Sequence, residues 1–130
     1  MDRSSRWLEA RLAAGDEGEL VLAGWSMAPA LRDGDRLRIA PYSAAARPAP
    51  GQIVVSRRAG RLVTHRLISL HAGQAITRGD GCQRDDPPVD ASTLLGRVVE
   101  VRRGTRRLAP PERAHGIRKL VERFRGSAWS

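Results

Sequence analysis

Ser26, His65 and the neighbouring acids Asp85 and Asp86 are the residues of this chain whose types and order could do chemistry. Ser26 stands in Gly24-Trp25-Ser26-Met27-Ala28-Pro29, between the apolar run Leu20-Val21-Leu22-Ala23 and the turn Asp33-Gly34-Asp35. His65 stands in Val63-Thr64-His65-Arg66, and the acids close the segment Arg78-Gly79-Asp80-Gly81-Cys82-Gln83-Arg84-Asp85-Asp86-Pro87. A serine hydroxyl is a poor nucleophile until a base takes its proton, and a neutral imidazole within hydrogen-bond reach does so near neutral pH. A carboxylate on the far ring nitrogen fixes the tautomer and stabilises the imidazolium that forms. The three residue types together predict acyl transfer through an activated serine.

Each signal alone has an ordinary explanation. In the run from Leu62 to Ile68, alternation puts Val63, His65 and Leu67 on one side and Leu62, Thr64, Arg66 and Ile68 on the other. Apolar neighbours withdraw the ring from water and favour its neutral form. A core histidine satisfied by a backbone carbonyl would look the same, and loop aspartates are common turn formers. What distinguishes the functional reading is the order of all three segments.

These residues must be held by a small, strand-rich scaffold. With 130 residues the chain is one domain, and with three Trp, one Tyr and one Phe its core must rest on Leu, Val, Ile and Ala. A short helix is predicted over 4–14, capped by Ser4 or Ser5, with Trp7, Leu8 and Leu12 on one face and Gly15 as its stop. Strands are predicted over 19–23, 36–40, 52–56, 61–70, 74–78 and 94–101, with a last one at 107–108. Turn chemistry at Asp33-Gly34-Asp35, Ala59-Gly60, Ala72-Gly73 and Arg103-Gly104 separates them. Short strands joined by brief turns indicate a mainly β protein, a small antiparallel coiled sheet or barrel.

Over 112–129, Ile117, Leu120, Val121 and Phe124 recur at helical spacing opposite Arg118, Lys119, Arg123 and Arg125, which predicts a basic amphipathic C-terminal helix. Such a helix packs on its own domain or lies on an anionic membrane surface. The net charge of +9 is uneven: residues 97–130 hold ten Lys/Arg against Glu100, Glu112 and Glu122, whereas residues 1–96 hold 13 basic and 11 acidic side chains. A solubilising end and a surface for phosphates explain that tail equally well. The lone Cys82 makes no internal disulfide. No apolar run approaches the roughly 20 residues of a membrane span, and the N-terminus has no apolar secretory segment. A cytoplasmic location without a transmembrane segment is the expectation. His71 and His115 are expected to be solvated and uninvolved.

The ordered motifs resemble the signal peptidase I superfamily, the clan shared with the LexA-type self-cleaving repressors. That pattern, Gly-x-Ser-Met-x-Pro, then Gly-Asp, then a Gly-Asp-Ile/Val-Val strand, is met by Gly24 to Pro29, Gly34-Asp35 and Gly51-Gln52-Ile53-Val54-Val55. His65-Arg66 then matches the histidine branch typical of archaeal and endoplasmic-reticulum enzymes, where most bacterial ones use lysine. Arg78-Gly79-Asp80, Asp85-Asp86 and Gly96-Arg97-Val98-Val99 follow the later motifs, so the match runs over about residues 20–101.

The resemblance implies the β-fold of the signal peptidase catalytic core over 1–108, with 109–130 as a basic helical tail. It implies a soluble serine endopeptidase that cleaves an extended peptide after small residues, with no metal or cofactor. Ser26 corresponds to the nucleophile and His65 to the general base. Asp86, or Asp85 in a shifted loop register, corresponds to the supporting acid, with Asp80 a nearby structural or secondary acid. Met27 would wall a substrate pocket or pack in the core, Trp25 would narrow the site or anchor the turn, and Pro29 would stiffen it. Gly24 lacks the side-chain oxyanion donor common in the family, and Gly81-Cys82 stands where asparagine is frequent. The expected partner is a protein or peptide substrate, with an anionic membrane surface as a second contact through the C-terminal helix. Nucleic acid is not an expected partner of a peptidase; it enters only if the same fold serves as a non-catalytic binding module.

Overall fold

The computed structural model describes residues 2–111; the C-terminal helix expected over 112–129 lies outside the described residues. Helix α1 spans Arg3–Ala13, with Leu8 and Leu12 buried. Its cap is Asp2, not Ser4 or Ser5: the extended Asp2 backbone lets its carboxylate accept the Ser5 N–H at 2.7 Å. Trp7 stands one position off the buried stripe and is exposed, with the Arg11 guanidinium over its ring at 5.6 Å. Gly15, at φ +84°, takes the left-handed conformation that ends the helix.

Eight strands follow: β1 (Gly18–Val21), β2 (Arg36–Pro41), β3 (Ile53–Arg58), β4 (Arg61–His71), β5 (Gln74–Arg78), β6 (Val89–Asp90), β7 (Leu94–Arg103) and β8 (Arg106–Leu108). Among the described residues all strand pairings are antiparallel, in the order β1-β2-β7-β3-β4-β5-β6, with β8 added to β7. The β3–β4 and β4–β5 hairpins turn on Ala59-Gly60 and Ala72-Gly73, both pairs at positive φ, the twist that matches flanking strands. Register shifts at Arg38/Ile39, Val55/Ser56 and Leu67/Ser69 bend the sheet.

The main core joins Leu8 and Leu12 of α1 to Met27, Leu31, Leu37, Ile39, Ile53, Val55 and Val101. A smaller cluster on the opposite face of β3 holds Val54, Leu67, Ala75 and Leu94. Strand β3 is therefore buried on both faces, which explains its unbroken Ile53-Val54-Val55 run. Val54 pairs with His65 and Ile53 with Arg66, so the histidine and the arginine leave β4 on opposite faces. Among the described residues no helix is long and apolar enough to cross a membrane.

Candidate active site

Ser26 is presented by a turn whose conformation the sequence enforces. Gly24 sits at φ +93°, where a side chain is disfavoured, and its N–H donates to Asp33 Oδ1 at 2.7 Å. The backbone then folds back, with Ala28 N–H donating to Trp25 O and Leu31 N–H to Met27 O. Met27 is fully buried in the main core and anchors the turn from below. Ser26 is left at the surface end of that anchor, only partly exposed.

A second loop clamps the first. Gly81 N–H donates to Ser26 O at 2.8 Å, and Asp80 N–H reaches Met27 Sδ at 3.4 Å. Gly79 passes so close that a Cβ there would stand 2.5 Å from Ser26 O and 3.1 Å from His65 Nε2. Glycine is thus required for packing here. Asp80 does not serve the histidine. Its carboxylate pairs with Arg66, Oδ1 accepting from Nε at 3.2 Å and Oδ2 from Nη2 at 2.6 Å. Arg66 is fully buried on the main-core face and also donates to the carbonyls of Gly51 and Pro111. This buried fork ties the loop to β4, with the Asp80 carboxylate on Arg66 and not on the ring.

His65 lies between the two remaining groups. Its Nδ1 is 2.6 Å from Asp86 Oδ2, and its Nε2 is 3.1 Å from Ser26 Oγ. A carboxylate can only accept, so Nδ1 carries the proton and Nε2 of the neutral ring is left to accept from the serine hydroxyl. The ring and the carboxylate side chains are 12% and 21% exposed, sheltered but open to a ligand on one side. Asp86 is itself fastened to β5: its N–H donates to Thr77 O at 2.8 Å, and Thr77 Oγ1 donates to its Oδ2 at 2.7 Å. Asp85 turns to Arg78, 3.5 Å from its Nε, which settles the loop register in favour of Asp86 beside the ring.

A cavity of about 850 Å³ opens onto Ser26 and His65. Leu20, Leu22, Ala23, Arg58, Leu62 and Thr64 are among the residues that line it. The residues expected to bind substrate do not line it: Met27 is core, Trp25 is 67% exposed beyond the turn, and Pro29 is exposed at the turn's far end. The apolar wall comes from β1 and the start of β4, which the motif around Ser26 does not reveal. Thr77 and Arg58, whose Nη2 donates to Thr77 Oγ1 at 3.2 Å, are likewise silent in the sequence. His71 ends β4 and is exposed. Cys82 is exposed, its Sγ 3.9 Å from Ser26 O.

No protein-family model matches this chain, and a search of curated proteins finds no match.

Proposed function

We propose that the chain is a serine endopeptidase of the signal peptidase type, with Ser26 as nucleophile, His65 as general base and Asp86 as the acid behind it. The observation that carries the reading is the unbroken hydrogen-bond chain from Asp86 Oδ2 through His65 to Ser26 Oγ, at 2.6 and 3.1 Å. On this reading His65 removes the hydroxyl proton as Oγ attacks a peptide carbonyl, and Asp86 stays ionised while holding the imidazolium. The imidazolium then protonates the leaving amine, and water attacks the acyl-enzyme by the same route. Backbone N–H groups of the Ser26 turn are the oxyanion donors.

The substrate is an extended peptide. Among the described residues strand β4 pairs with β5 only from Arg66 onward, and β1 pairs only with β2, so within them each leaves one strand edge unpaired beside the cavity. Free edges of this kind accept a chain by strand addition. Leu20, Leu22 and Leu62 offer an apolar floor, and the preference for small residues before the cut comes from the resemblance. The bent antiparallel sheet is then the catalytic core of that superfamily, and the peptidase acts in the cytoplasm. The test is incubation of the protein with Ala-x-Ala peptides. Cleavage should vanish in Ser26→Ala and His65→Ala. Turnover equal to that of these variants would reject the reading.

One observation favours the second reading, a binding module for an anionic surface. Arg36, Arg102 and Arg107 stand in register across β2, β7 and β8, all exposed, and Glu100, 4.0 Å from Arg102 Nε, is shared with the adjacent Arg38. Like charges directly opposite are unfavourable unless an anion compensates them. Salt-sensitive binding to anionic vesicles or RNA that Ser26→Ala leaves unchanged would support it.

A further inference from the structure

We infer that Thr77 is a positioning residue for the Asp86–His65–Ser26 chain, and that Arg58 dictates which way its hydroxyl points. The inference rests on the reading of Ser26 as the nucleophile. Asp86 follows a loop, remains 21% exposed and needs external support to present one oxygen to the ring. Thr77, fully buried in β5, grips it twice, through its backbone carbonyl at 2.8 Å and its hydroxyl at 2.7 Å.

The polarity of that grip is forced. Arg58 Nη2 lies 3.2 Å from Thr77 Oγ1 and 2.9 Å from Pro87 O. A guanidinium only donates, so the threonine oxygen accepts from Arg58 and its single proton is left for Asp86. Oδ2 of Asp86 therefore receives two donors, Thr77 O–H and His65 Nδ1–H. With Nδ1 committed, Nε2 of the neutral ring can only accept from Ser26. Direction thus runs from Arg58 to Ser26 without a free choice, and Arg58 also holds the carbonyl of the residue that follows Asp86.

Burial argues the same way. Valine has the shape of threonine and suits a buried strand position better, since a buried hydroxyl is costly unless bonded. Thr77 touches neither the cavity nor Ser26 and acts only through Asp86. Without its hydroxyl the carboxylate keeps one donor and can rotate, and the ring loses its fixed tautomer.

The experiment uses the full chain with ¹⁵N-labelled histidine. NMR reports the His65 tautomer at alkaline pH, and mass spectrometry reports the rate at which a fluorophosphonate labels Ser26. Wild type should hold the Nδ1–H tautomer. Thr77→Val should show mixed tautomers and about tenfold slower labelling, the effect of losing one hydrogen bond to a charged group. Thr77→Ser should restore both, and Arg58→Met, at a half-buried site, should also mix the tautomers. A single Nδ1–H tautomer with unchanged labelling in Thr77→Val or Arg58→Met overturns the inference. Wild-type Ser26 that never reacts would reject the nucleophile reading alone, because the tautomer comparison still decides the role of Thr77.

Discussion

Gly79→Ala is the smallest change that should part Ser26 from His65. The added Cβ would sit 2.5 Å from Ser26 O, 2.8 Å from Cys82 Sγ and 3.1 Å from His65 Nε2. Gly79 does not have the left-handed φ that bars alanine, so the effect is steric alone. Relief requires a shift of about 0.5 Å or more to bring the first contact to 3.0 Å. The Gly81 N–H bond to Ser26 O, at 2.8 Å, ties the loop to the serine, so part of that shift passes to Ser26 or to the ring. The Ser26–His65 separation of 3.1 Å then opens by up to about 0.5 Å, and at that limit of roughly 3.6 Å it is beyond hydrogen-bond range. Displacements approaching 1 Å cost about 100-fold in rate, so fluorophosphonate labelling of Ser26 should slow by about 10- to 100-fold. Overpacking should also lower stability by about 1–3 kcal/mol. Gly73→Ala is the control: with φ +78° and open space around it, it should cost about 1 kcal/mol and leave labelling alone. Labelling of Gly79→Ala within about twofold of wild type, well below its unfolding temperature, would refute the steric reasoning.

Three further outcomes follow from the same geometry. Arg103 donates to the carboxylate of Asp35, only 2% exposed, at 2.9 and 2.8 Å, and this holds the Asp35 acid below its ordinary 3.8. The folded acid being the stronger, its contribution is complete above about pH 4 and is lost as pH falls through the lowered value. Asp35→Asn should therefore cost about 2–4 kcal/mol in urea unfolding at pH 7, a gap that narrows toward pH 2; a constant gap would contradict this. Asp80→Asn leaves the buried Arg66 charge unpaired and should cost about 3–5 kcal/mol, whereas a cost below about 1 kcal/mol would mean that the fork does not secure the loop. Met27→Ala should cost about 2–5 kcal/mol by thermal unfolding, and a neutral result would remove Met27 from the core.

Much of the scaffold is legible in local pattern. The strand predicted over 74–78 coincides with β5, and the long alternating run over 61–70 with β4 but for one residue, because Ala-Gly turns bound them. Strand β6, Val89–Asp90, is too short to carry any period and escapes such reading. The helix start is open to any capping side chain, and Asp2 takes it because the helix begins at Arg3, two residues before a Ser4 cap would start it. For the site, types and order single out Ser26, His65 and the Asp85/Asp86 pair, but the choice between the two acids depends on Thr77 and Arg78, which belong to a neighbouring strand. Asp80 reads as a second acid until Arg66, adjacent to the histidine yet on the opposite face, claims it. Arg58 is 28 residues upstream of Asp86, and only the β3–β4–β5 pairing brings it to Thr77.

The most direct test asks whether the imidazole at 65 raises the reactivity of the hydroxyl at 26. Fluorophosphonate-treated protein, digested and sequenced by mass spectrometry, should carry its adduct on Ser26. The rate should fall by about 10³-fold or more in His65→Ala, a loss typical when a serine is deprived of its base. Equal labelling of the native protein and His65→Ala, or an adduct elsewhere with Ser26 untouched, would contradict the account.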